Sequence, residues 1–149
     1  MGFLDSLGAA TSGLTAQRLR MDIISQNISN INTTRTSNGM PYRRKVVLFG
    51  ERNNNMPFSH FLSESSRNKF LKTENGIRVT HIAEDTSPFK RIYDPGHPDA
   101  DQDGYVLMPN VDIITEMINM ISASRAYEAN VTSINATKSM ALKALEIGK

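Results

Sequence analysis

The 149-residue chain has no cysteine, which excludes disulfides, thiolate metal sites and a cysteine nucleophile together. No window approaches the roughly 18 to 20 apolar residues of a membrane-spanning helix, so direct membrane insertion is not expected. The first residues lack a basic n-region, a long apolar run and an A-x-A site, so a conventional cleavable signal peptide is not expected either. A net charge of +2 is too small to draw nucleic acid. The three histidines, His60, His81 and His97, share no i,i+4 or HxH spacing and signal neither a zinc site nor a catalytic triad. A glycine-rich phosphate loop, a nucleophile elbow and a carboxylate pair in apolar surroundings are also missing. The expectation is a chain without enzyme activity, cofactor or metal.

Proline is absent from both ends: all six, Pro41, Pro57, Pro88, Pro95, Pro98 and Pro109, lie in the middle. The ends carry matching apolar rhythms instead. Phe3, Leu7, Ala10, Leu14, Met21, Ile24, Ile28 and Ile31 recur at steps of four and three, broken only by Gln17. Ile113, Met117, Met120, Tyr127, Val131, Ile134, Ala141 and Leu145 repeat the pattern, with Ser124 and Lys138 as exceptions. A period near 3.5 puts each set on one stripe of a helix, and such a stripe must be buried against another helix. Leu7, Leu14, Met21, Ile24, Ile28, Ile113, Met117, Met120, Tyr127, Val131, Ile134 and Leu145 are therefore the candidate packing and assembly surface. Met117, Met120 and Met140 suit core filling or an interface that accepts unlike neighbours.

The first helix is expected over 3–31, and Gly8, Gly13 and several Ser/Thr leave its stability to packing. Residues 30–39 compete for backbone hydrogen bonds and end it. Pro41–Phe49 is β-branched and aromatic enough for a strand. Asn75–Gly76 signals a turn, Ile77, Val79 and His81 alternate with Arg78 and Thr80 as in a half-buried strand, and Phe89–Tyr93 reads as a third. Residues 51–72 form an Asn/Ser-rich loop with Phe58, Phe61, Leu62, Phe70 and Leu71 as docking points, and 94–110 form an extended, Pro-rich approach to a second helix over 111–147. The fold class is mainly α with a small central β element, the long terminal helices pairing like a coiled coil in a helical assembly. The division is 1–36, 37–110 with a probable insertion at 51–76, and 111–149.

Asp99, Asp101, Asp103 and Gly104 fit the first half of a calcium-binding EF-hand loop. The second half fails, because Asn110 stands where the bidentate Glu belongs and Pro109 precedes it. An acidic turn held by backbone N–H groups or basic neighbours is the expectation. Charge is segregated along the chain: residues 42–91 hold ten Lys/Arg against five Asp/Glu, and residues 92–124 hold six acids and no Lys/Arg. Such segregation fits internal pairing or complementary surfaces on neighbouring subunits.

The segment Arg20-Met-Asp-Ile-Ile-Ser-Gln-Asn-Ile-Ser-Asn-Ile-Asn-Thr-Thr34 resembles the N-terminal signature of the flagellar rod and hook axial family, with Asn27, Asn30 and Asn32 in comparable places. Ser25 and Ser29 replace alanines common there. Met108–Met117, Ala123–Asn130 and Met140–Gly148 resemble the C-terminal signature, and His97–Val106 narrows the likeness to proximal-rod proteins. The resemblance implies a structural subunit of the bacterial flagellar basal-body rod, with its terminal helices packed in an inner tube domain. The implied partners are copies of itself, other rod subunits and the flagellar type III export apparatus, which would deliver the chain uncleaved to the periplasm. The alternative is a calcium-responsive or membrane-associated helical adaptor, which would be a stable monomer, whereas a rod subunit gains order on assembly.

Overall fold

The computed structural model describes residues 3–52 and 76–147. Residues 53–72 of the expected docking loop, almost all of the insertion and Asn75 lie outside them, while Glu51, read as the start of that loop, is the last residue of a strand. Helix α1 (Phe3–Ser29) is followed by β1 (Lys45–Glu51), β2 (Ile77–Glu84), β3 (Lys90–Tyr93), β4 (Tyr105–Met108) and helix α2 (Ile113–Ile147). The two helices pack against each other, and the strands pair as two separate antiparallel ribbons, β1–β2 and β3–β4.

In α1 the hydroxyls that could compete with the helix are turned back into it: Thr11 Oγ1 donates to the Leu7 carbonyl at 2.8 Å, and Ser12 Oγ to the Ala9 carbonyl at 2.7 Å. The helix stops two residues short of the expected Ile31. The Asn30 side-chain amide takes the Gln26 carbonyl at 2.8 Å, and the Ile31 N–H reaches only Ile28, so the last turn tightens. Asp112 caps α2, its carboxylate accepting the Thr115 N–H and hydroxyl at 3.1 and 2.7 Å, so that helix starts at Ile113 rather than 111.

The pairing of the helices is antiparallel and in step: Asn27 bonds Glu116, and Gly13 lies against Asn130. A Cβ on Gly13 would meet the Asn130 Nδ2 at 2.9 Å, so glycine permits the close approach. Continuing this register puts Phe3 beside Met140, and α2 runs on for about two further turns.

β1 begins at Lys45, later than the sequence suggested, because the Tyr42 N–H is taken by the Thr33 carbonyl and the Arg44 N–H by Asn110 Oδ1. Leu48 pairs with His81 and Phe49 with Val79, leaving Thr80 as an extra residue; its hydroxyl donates to the Leu48 carbonyl at 2.9 Å. The bulge disturbs the expected alternation, and His81 is exposed while Val79 and Ala83 are the less exposed positions. β4 falls within the segment read as an extended, Pro-rich approach to the second helix. Gly104, at φ +77°, returns the chain, and Tyr105 stacks edge-on with Tyr93 at 5.3 Å.

Among the described residues the buried hydrophobic core is small: Ala16, Ile23, Ile24, Val106, Val111 and Ala123. Most of them gather where α1 ends, β1 begins and α2 starts.

Candidate functional site

Two features dominate the surface and interior: a buried polar clasp at one end of the helix pair, and an uncovered apolar face on α2. Glu116 is 0% exposed and Asn27 1% exposed, so each must be satisfied by protein groups. Arg44 donates to Glu116 Oε1 through Nε at 2.9 Å and Nη2 at 2.6 Å. Asn27 Nδ2 donates to Glu116 Oε2 at 3.0 Å and to the Lys45 carbonyl at 2.9 Å. Its Oδ1 accepts the Tyr42 hydroxyl at 2.9 Å and the Lys45 N–H at 3.0 Å. Arg44 also reaches Asp85 at 3.3 Å, and Asn110 ties the Arg44 N–H to the carbonyls of Asp85 and Ser87. One connected network thus joins α1, β1, the end of β2 and the start of α2.

Its electrostatics are self-consistent. Burial opposes the Arg44 charge, but the hydrogen bonds and charges of Glu116 and then Asp85 outweigh it and raise its pKa. Burial, followed by the charges of Glu116 and Glu84, raises that of Tyr42, keeping it a neutral donor. The backbone and hydroxyl of Ser87 hold the Asp85 carboxyl below its ordinary value.

The predicted surface residues divide. Ile24 is buried, and Leu7, Leu14, Met21, Ile28, Met120, Tyr127, Val131 and Ile134 are half-buried. Ile113, Met117 and Leu145 are exposed, by 43%, 55% and 71%. The periodic reading passed over Ile114, Ile118 and Ile121, which are 66%, 62% and 56% exposed. With Met117 they form an open apolar face on the first turns of α2, away from Glu116 and Ala123. The signal was present in the doublets Ile113–Ile114 and Met117–Ile118, which make the helix apolar over more than one stripe.

The acidic turn is a hairpin loop. Asp99 accepts the Thr34 hydroxyl at 2.8 Å and faces Arg35 at 3.8 Å, while the Gly104 N–H bonds the Asp101 carbonyl at 2.8 Å. Among the described residues no group of three or more His, Asp or Glu is placed to hold a metal ion, and no helix is long and apolar enough to cross a membrane.

Comparison with known proteins places this architecture. The family described as flagella basal body rod protein matches residues 7–35, and the C-terminal family of flagellar basal body rod FlgEFG proteins matches residues 102–147. The flagellar basal-body rod protein FlgC of Borreliella burgdorferi is 50% identical, the match covering 99% of this chain and 98% of its own length. That of Bacillus subtilis is 49% identical over 97% of each chain, and that of Salmonella typhimurium 37% identical over the whole of both. The adaptor alternative finds no support in this full-length similarity. With likeness running from end to end and a pair of long terminal helices around a small β element, the chain belongs to the FlgC family of flagellar basal-body rod proteins.

Proposed function

We propose that this structural rod subunit polymerises through its terminal helices to build the proximal rod, the axial drive shaft and export channel of the flagellum. The observation that carries the reading is the open face of Ile114, Met117, Ile118 and Ile121. Each large apolar side chain moved from water into a packed contact contributes about 1.5–3 kcal/mol, so four together outweigh ordinary losses on association only when a large complementary surface meets them. Neighbouring copies and other rod subunits, which carry helices of the same kind, fit that requirement. Delivery by the type III export apparatus, without cleavage and into the periplasm, accords with the modest core and the absence of cysteine. Neither feature obstructs passage as an unfolded chain or refolding outside the cytoplasm. Catalysis has no part in this reading.

The test is Ile118→Asp. The side chain lies in solvent, so the monomer should keep wild-type helix content and be secreted, while rod construction and swimming are lost. Normal swimming by this variant would show that the face is not a subunit contact.

A further inference from the structure

Without cysteine, the sulfur chemistry open to oxidants in this chain is that of its eight methionines. Among the described residues Met21, Met108 and Met120 are half-buried, while Met40, Met117 and Met140 are 57%, 55% and 64% exposed. The surroundings of the three exposed thioethers differ. Met40 lines an open groove together with Thr34 and Arg35, and Met140 has Thr137 and Lys143 three residues to either side on α2, so an oxygen added at either sulfur has hydrogen-bond donors nearby. Met117 has no such neighbours along its helix. The four positions adjacent to it on the surface of α2 are Ile113, Ile114, Met120 and Ile121, all apolar, and it stands at the border of the open face. Its sulfur is reachable in the free chain, yet it is the exposed thioether with the most to lose by turning polar once that face is covered.

We propose that Met117 is an oxidation site whose state decides whether a free subunit can be incorporated. The inference rests on the reading of the face from Ile114 to Ile121 as a subunit contact. With hydrogen peroxide as the oxidant, a sulfur lone pair takes one oxygen and the O–O bond breaks. The thioether is oxidised to the sulfoxide, and the peroxide is reduced to water. The product keeps nearly the shape of methionine but carries a strong acceptor, which apolar neighbours leave unpaired when they cover it. One such group per subunit should weaken the contact about ten- to a hundredfold, the scale of a single unsatisfied buried acceptor. A methionine sulfoxide reductase reverses the step, two thiols becoming a disulfide as the oxygen leaves in water, and it can reach the sulfur only while the face is open.

The test has a chemical arm and a motility arm. The free chain and purified basal bodies are each treated with hydrogen peroxide, and sulfoxide is followed at every methionine by peptide mass spectrometry. The proposal predicts that Met117 of the free chain oxidises with Met40 and Met140 and ahead of Met21 and Met108, and that in the basal body it reacts about tenfold more slowly, because the oxidant must reach the sulfur. Equal rates at Met117 in the two samples overturn it. In cells, Met117→Gln places a polar amide where the sulfoxide oxygen would sit, and Met117→Leu keeps the site apolar and cannot take oxygen. The first should abolish or severely reduce swimming and the second should swim as wild type, with helix content unchanged in both monomers. Normal swimming by Met117→Gln beside a non-swimming Ile118→Asp overturns the oxidation site and leaves the contact face standing, whereas normal swimming by both variants overturns both readings. Loss of swimming by Met117→Leu, or loss of helix in Met117→Gln, also overturns the proposal, since shape or folding rather than polarity at the contact would then be decisive.

Discussion

The two ends of the helix pair are held by different physics. Where α1 ends and α2 begins, Asn27, Tyr42, Arg44, Asp85, Asn110 and Glu116 form a network whose central members are fully buried. Where α1 begins and α2 ends, the described contacts are between small or half-buried residues, and the large apolar side chains of Met140, Leu142 and Leu145 face solvent. Hydrogen bonds fix position within fractions of an ångström, and a satisfied network rigidifies the elements it joins. Apolar contact is less particular about geometry and accepts whichever neighbour covers it. The clasped end can thus orient the β ribbons against the helices within a single subunit, while the open end leaves large apolar side chains in solvent, to be covered by neighbours on the proposed reading.

The largest expected effect comes from breaking the clasp. Glu116→Ala leaves the Arg44 guanidinium and the Asn27 amide without their buried acceptor and should destabilise the monomer by about 3–5 kcal/mol, read as a lowered urea midpoint. A loss below about 1 kcal/mol would mean the clasp is decorative and the two ends are alike.

Next comes Ile134→Asp, which sharpens the comparison by striking the open end. Ile134 is half-buried and lies, by the observed register, beside Ala9 of α1. A carboxylate there should cost a few kcal/mol of helix pairing and stop rod construction while export continues, because export machinery accepts unfolded chains. Secretion and motility are measured beside an exposed control on the same helix, Ser133→Asp. Here the half-buried stripe should lose its pairing within the subunit, whereas Ile118→Asp should leave that pairing intact and remove only the proposed contacts between subunits. Circular dichroism of the two monomers separates the cases.

A smaller effect is expected from pH. Asp85, held by Ser87, and Asp112, held by Thr115, have lowered pKa values, so the stability they add is full above the ordinary 3.8 and is lost as pH falls through the lowered folded values. Tyr42 has a raised pKa, so its contribution is full below 10.0 and is lost as pH rises through the raised folded value. The clasp should therefore loosen at both extremes, and Tyr42→Phe should remove only the phenol's own contribution to the alkaline loss. An unchanged alkaline limb in that variant contradicts the assignment.

How much of this was legible in the sequence depended on distance along the chain. The 4-3 rhythms of Leu7 to Ile28 and of Ile113 to Leu145 marked both long helices, because helical periodicity is local. Strand β4 was hidden by its length and by the turn chemistry before it, with Gly104 serving a hairpin rather than an irregular approach. The clasp was hidden for a different reason. Asn27, Arg44 and Glu116 are ordinary polar residues in their own segments, and only the in-step antiparallel register brings them together. Glu116 offered a faint signal as the lone charge among apolar turns. The open face was missed because a single 4-3 stripe was fitted to a helix that is apolar on two sides.

The smallest expected effect tests the half-buried seam between the ends. Gln17, the residue that interrupts the N-terminal rhythm, has a buried Oε1 with no hydrogen-bond partner among the described residues. Gln17→Met keeps the size and removes the unsatisfied acceptor, and it should stabilise the monomer by about 1 kcal/mol in urea titration. A loss of stability would show that the acceptor is satisfied.

Amide hydrogen exchange on monomer and assembled rod measures the contrast between the two ends most directly. In the dilute monomer, the account predicts protection at Ile23–Asn27 and Glu116–Met120, fast exchange at Asp5–Leu14 and Ile134–Leu145, and slow exchange at all four once the rod forms. Protection of Asp5–Leu14 in the monomer equal to that of Ile23–Asn27 would contradict it, because the open end would then be complete without its neighbours.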